Sequence, residues 1–244
     1  MRAPSKRADP ANPELVPQVA ARSLRIQPDA VVWFGAIAAA WVVAWWLEAT
    51  GIAHALHHHT IFHSGRLWQG GAELLVAWQV MTAAMMLPGA LPAVRALGHA
   101  PEQARFLAIY FAAWTVFAAL AFAADMGLHA LVHGWAAAAR HENLIAPAVL
   151  GLAAAYELSP WKVRSLILCR KPGLSALAYS RSCVASGWAL MLLMFSAGVA
   201  NLWWMVALAA AMLAEKALPR ADAARYAVAA VLVLCCIALL TPLQ

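Results

Sequence analysis

The sequence predicts an all-α protein, a polytopic bundle of about seven transmembrane helices with its amino terminus in the cytoplasm. Three observations predict it. The 244-residue chain is 64% hydrophobic and 11% charged, with a mean hydropathy of +0.71, far more apolar than a soluble domain of this length needs. Its apolar residues fall in stretches long enough to cross ~30 Å of hydrocarbon. Its Lys and Arg residues alternate with those stretches. The net charge of +6 therefore reads as membrane topology, with no nucleic-acid partner.

Residues 1–29 hold five prolines and five Lys/Arg with little apolar periodicity. That composition predicts a disordered cytoplasmic tail without a cleavable signal peptide, followed by a membrane domain over 30–244. The first span covers about 30–47, with Trp41, Trp45 and Trp46 near its far end as interfacial aromatics. The segment AHALHHHTIFHSG follows, carrying His54, His57, His58, His59 and His63. A second span over about 71–91 contains WQVMTAAMMLPGALP (78–92). Met81 and Met85 share a helix face there, Met86 flanks them, and Pro88 and Pro92 kink or end the helix just beyond.

The third span, about 106–124, runs into DMGLHALVHG, where Asp125, His129 and His133 form one stripe of a continuing helix. A short fourth span covers about 144–158, and a basic loop with Lys162, Arg164, Arg170, Lys171 and Arg181 follows. Residues 182–216 hold no charge before Glu215 and would extend about 50 Å as one helix, so they fold as a hairpin turning near 198–201. Glu215 and Lys216 are expected at the membrane interface. The last span covers about 226–240, which places the carboxyl terminus outside. Without the hairpin the count is six.

The positive-inside rule supports this division. The cytoplasmic segments collect 15 of the 17 Lys/Arg, leaving Arg66 and Arg140 outside. Eight of the nine histidines then fall in the outer loops, and His99 alone lies inside. The pairs His54/His58, His59/His63 and His129/His133 have the i, i+4 spacing that binds one ion from one helix face, and neutral imidazole suits zinc, copper and nickel. Interfacial histidines also decorate polar loops without a ligand.

Enzyme classes find no support. No Gly-rich phosphate loop, HExxH or nucleophile elbow is present, and the ASGW around Ser186 has no histidine within a span to act as base. Cys235 and Cys236 are adjacent in an apolar run, and Cys169 and Cys183 flank the basic loop, so no disulfide framework is expected. Two function classes stand. One is a protein that binds or transports a transition metal, copper first. Its Met81, Met85 and Met86 face Met191 and Met194 along a thioether path, and the outer histidines capture the ion. The other is a non-catalytic subunit or assembly factor of a membrane complex, whose 12 tryptophans pack against membrane partners or a second copy.

Four stretches together resemble the bacterial predicted metal-binding integral membrane proteins (domain of unknown function 2182). They are WQVMTAAMMLPGALP (78–92), YELSPWKVRSLILCRKP (156–172), CVASGWALMLLMFSAGVANLWWM (183–205) and the Glu215–Lys216 pair. The resemblance implies metal binding in the bacterial inner membrane, with a copper-related role suggested for the family. It also implies more thiols than this chain has. Where cysteines are expected near 165 and at 186–187, this sequence has Ser165, Ser186 and Gly187, leaving Cys169 and Cys183 as thiol ligands.

The topology has a direct test. Single cysteines replacing Ser64 and Gln244 are expected to react with an impermeant thiol reagent applied to intact cells, and cysteines replacing Ala3 and Ala221 are not. Outside labelling at position 221 would remove the hairpin and make the span count even.

Overall fold

The computed structural model describes residues 28–50, 67–135, 140, 144–171, 173–197, 202–218 and 221–241. The histidine cluster between 54 and 63 and the turn expected at 198–201 lie outside them. Among the described residues every regular element is a helix: α1 Pro28–Ala49, α2 Leu67–Met85, α3 Leu87–Arg95, α4 Ala100–Gly134, α5 Ile145–Glu157, α6 Pro160–Arg170, α7 Ala176–Ala197, α8 Leu202–Ala217 and α9 Ala221–Leu240. The chain divides into two compact units, Met1–Ala36 and Ile37–Gln244. The second unit carries everything described below.

Pro88 lacks the N–H that would bond the carbonyl of Ala84, so the second expected span breaks where its sequence predicts. The last α2 turn closes with Met86 N donating to the Thr82 carbonyl at 2.9 Å. The chain then bends by 65° into α3, with Pro88 in the first turn. α4 opens after an extended His99, with Pro101 and Glu102 in the turn where a missing N–H and a negative charge are best tolerated. It continues for 35 residues, so the third expected span and the 125–133 stripe share one uninterrupted helix.

The basic loop is a correction. Ser159 accepts from Lys162 N at 3.2 Å, Pro160 occupies the first turn, and α6 forms where irregular chain was expected. Its basic residues did not show that it has a buried side: Lys162 and Leu166 point inward.

α7 is the helix around which the others assemble, touching α4, α5, α6 and α8. More than half of its apolar span, 56%, is buried inside the bundle, against 6% for α1 and 17% for α9. The exposed surfaces are apolar too. Trp203 is 82% exposed, and Leu120, Leu234 and Val116 are also exposed, at 60–66%.

Four helices are long and apolar enough to cross a membrane, and α2 with α3 makes five if the bent pair is one span. The fourth and sixth expected spans correspond to α5 and α8, of 13 and 16 residues, short of the ~20 a crossing takes.

The expectation that Glu215 and Lys216 sit at an interface is also corrected. Glu215 is 1% exposed, and its carboxylate meets Lys162 Nζ at 2.8 Å. The same ammonium reaches Glu157 at 2.5 Å, so one lysine of α6 ties α5 to α8. Replacing Lys162 with Met removes the countercharge of both carboxylates. Breaking a buried pair of this kind costs about 3–5 kcal/mol. A marked fall in the thermal midpoint of the detergent-solubilised protein is therefore expected, and an unchanged midpoint would show that the triad does not hold these helices.

Candidate functional site

The buried face of α7 reads Tyr179, Cys183, Ser186, Gly187, Leu190, Met191 and Met194, steps of three and four that keep one side of a helix inward. Three serines of α7 stay satisfied within the helix, Ser180, Ser182 and Ser186 donating to the carbonyls of Ala176, Ala178 and Cys183. That leaves the Cys183 sulfur and the Tyr179 hydroxyl as the groups on this face that turn to other helices.

Two donors meet the sulfur. Lys216 Nζ of α8 donates at 3.0 Å, and the Tyr110 hydroxyl of α4 lies at 3.3 Å. An ammonium against a sulfur favours the thiolate, the form that attacks and ligates metal. The lysine stem lies over Gly89, where an added Cβ would come within 2.9 Å of its Cδ. Tyr179 donates to the Gly89 carbonyl at 3.0 Å and Tyr110 to that of Met86 at 3.4 Å. The break between α2 and α3 is thus held against the thiol by two tyrosines and kept close by the absence of a side chain at position 89.

The second thiol comes from α6. Cys169 Sγ is 3.8 Å from Ser186 Oγ, on the residue three beyond Cys183. The neighbouring Cys183 and burial push the Cys169 thiol upward, which favours its protonated form. Thioethers stand beside the pair. A Cβ built on Gly187, one helical turn beyond Cys183, would lie 3.0 Å from Met86 Cε and 3.6 Å from Met212 Sδ.

The structure therefore brings Cys169 to Ser186, and Met86 and Met212 to Gly187, all along the α7 face that carries Cys183. Met81, Met85, Met191 and Met194 are all buried in the same core, each at most 3% exposed. Met191 and Met194 continue the α7 stripe ~12 and ~16 Å along the axis from Cys183. Asp125 lies 15 residues beyond Tyr110 on α4, ~22 Å along the helix, so the 125–133 stripe is remote from the thiols. The side chains of His129 and His133, like the cluster His54, His57, His58, His59 and His63, lie outside the described residues. Among the described residues no group of three or more His, Cys, Asp or Glu could hold a metal ion, so a centre here depends on thioether donors.

Sequence reasoning passed over Tyr110, Gly89 and Met212. A signal for Met212 was present: Met205, Leu208, Met212 and Glu215 are spaced as one buried face of α8. Lys216 entered only as half of the Glu215–Lys216 pair and was expected at the interface, and Gly187 only as a position where the resemblance implies a cysteine.

Gly89→Ala is expected to push Lys216 off the sulfur. In a background lacking Cys169, Cys235 and Cys236, alkylation of Cys183 by a small maleimide should slow several-fold in Gly89→Ala and in Lys216→Met alike. An unchanged rate in both would remove the lysine from any part in activating the thiol.

The copper chaperone family PpoB2 matches residues 75–239, about two thirds of the chain. The match contains the four sulfur residues of the cluster and leaves the histidines at 54–63 outside it. Neither curated proteins nor solved structures return a match. The resemblance drawn from the four stretches is supported at the level of a copper-related family: the chain belongs to the copper chaperone family.

Proposed function

We propose that the protein is a membrane-embedded copper chaperone, holding Cu(I) at Cys183 and Cys169 with thioether support from Met86 and Met212. The observation that carries the reading is the lysine-contacted Cys183 sulfur, buried with a second thiol and two methionines from different helices. Thiolates and thioethers are soft donors and select Cu(I) over zinc or nickel. Lys216 faces the sulfur's negative charge until the cation takes it over.

The membrane setting rests on the apolar surfaces of α1, α4, α8 and α9, larger than a soluble monomer tolerates. The positive-inside charge division places the cluster toward the cytoplasm. On this reading Met191 and Met194 with Met81 and Met85 form a ladder along the bundle, and the outer histidines gather the ion at its far end. The protein hands copper on and performs no chemistry on it, and its acceptor is another membrane protein.

Titration of anaerobic Cu(I) against a chromogenic Cu(I) chelator tests the site. Cys183→Ser is expected to weaken binding at least tenfold and Cys169→Ser by a smaller factor. Met86→Leu with Met212→Leu should lower affinity while leaving the fold intact, since Leu and Met exchange for under about 1.5 kcal/mol. Wild-type affinity in Cys183→Ser would place copper elsewhere and leave the cluster as packing.

A further inference from the structure

The triad of Glu157, Lys162 and Glu215 is not explained by copper binding. Two carboxylates face one ammonium, and their side chains are at most 2% exposed. Each carboxyl group also has one buried oxygen that no donor satisfies, Oε2 of Glu157 and Oε1 of Glu215. One ammonium reaches both carboxyl groups, at 2.5 and 2.8 Å, which draws them together in the core. Two carboxylates sharing one buried site resist ionising together.

The surrounding groups do not supply the missing charge. Arg225 of α9 spends one guanidinium nitrogen on the Glu157 carbonyl at 2.9 Å and the other on exposed Asp222 at 3.2 Å. Arg170 of α6 donates to the carbonyls of Glu215 and Leu218, at 2.5 and 2.8 Å. Lys216 is turned to Cys183. The titratable groups on the buried face of α7 are Tyr179 and Cys183, and beside Glu157 on α5 is Tyr156, whose hydroxyl bonds the Ala185 carbonyl. With one lysine and two carboxylates the triad would carry a net negative charge in an apolar core, which costs several kcal/mol unless a proton cancels it.

We propose that Glu157 and Glu215 are a buried proton-binding site, sharing one proton that is released when a monovalent cation occupies the sulfur site. The first part stands on the triad alone; the second rests on the copper reading. The two sites share two helices: α6 supplies Lys162 and Cys169, and α8 supplies the consecutive Glu215 and Lys216. A cation bound to Cys183 compensates the sulfur in place of Lys216, and the freed ammonium, next in chain to Glu215, is then available to compensate the ionised pair. The proton leaves to water at the cytoplasmic end, and copper transfer becomes linked to proton movement.

Infrared difference spectra test both parts, with Glu157→Gln and Glu215→Gln as the variants. Each variant leaves a one-to-one ion pair with Lys162, so each should fold. In the copper-free protein at neutral pH, the wild type is expected to show a carboxylic-acid carbonyl band, shifted in D2O, that both variants lack. Loading with anaerobic Cu(I) should bleach that band in the wild type and change nothing in this region in the variants. Wild-type and variant spectra that coincide overturn the shared proton. A band that persists with Cu(I) bound overturns the release and leaves copper binding standing. Failure of Cu(I) to bind at all strikes the copper reading and the release together, and leaves the shared proton judged by the copper-free spectra.

Discussion

Charge buried in an apolar bundle must be compensated, and four cations at one end of this protein decide how its helices meet. Lys162 joins α5 to α8 through two carboxylates. Arg170 closes the carboxyl end of α8, taking the carbonyls of Glu215 and Leu218 that have no helical donor left. Arg225 does the same for α5 at the Glu157 carbonyl. Lys216 joins α8 to α7 at the Cys183 sulfur. Desolvation takes back much of what such pairs return, so their main effect is on register. A helix displaced by one turn would leave a bare charge in hydrocarbon.

The second constraint is the proline break. Without a bend after Met86, α2 and α3 would run on as one span, and the glycine at 89 would have no reason to face a lysine. At the 65° bend Tyr110 of α4 bonds the carbonyl of Met86 and Tyr179 of α7 that of Gly89 in α3. The freed backbone of a broken helix is tolerated at membrane depth only when neighbouring side chains satisfy it. Here those side chains also position the thiol. Backbone strain plays no part: among the described residues the one positive φ belongs to Gly173, outside this region.

A copper chaperone has to hold its cargo firmly enough to exclude hard ions and loosely enough to pass it on. The proposed site of two thiols and two thioethers from separate helices suits that demand, since small helix shifts change the number of donors in reach. The histidines at 54–63 stand apart from it in chain position and in chemistry. They fall outside the region matched by the family and belong to this member's own sequence. Glu215 of the carboxylate pair and Lys216 at the Cys183 sulfur are consecutive residues of α8, so the two sets of contacts meet on a single helix.

How much was legible in the sequence follows from which interactions are local. Helical content, the apolar spans, the break at Pro88 and the shared face of Met81 and Met85 depend on residues a few positions apart, and periodicity and proline chemistry suffice to read them. Cys169 and Cys183 were singled out by residue type. The lysine on Cys183 comes from 33 positions away, and nothing in its own surroundings distinguishes it from a basic residue at a helix end. Lys162 looked like a solvated charge for the same reason. The tertiary structure alone decided that Gly187 marks where Met86 and Met212 converge, and that two glutamates separated by most of α6, α7 and α8 share one ammonium. Those are pairings across helices, and their energy comes from desolvation, which exists only once the chain has packed.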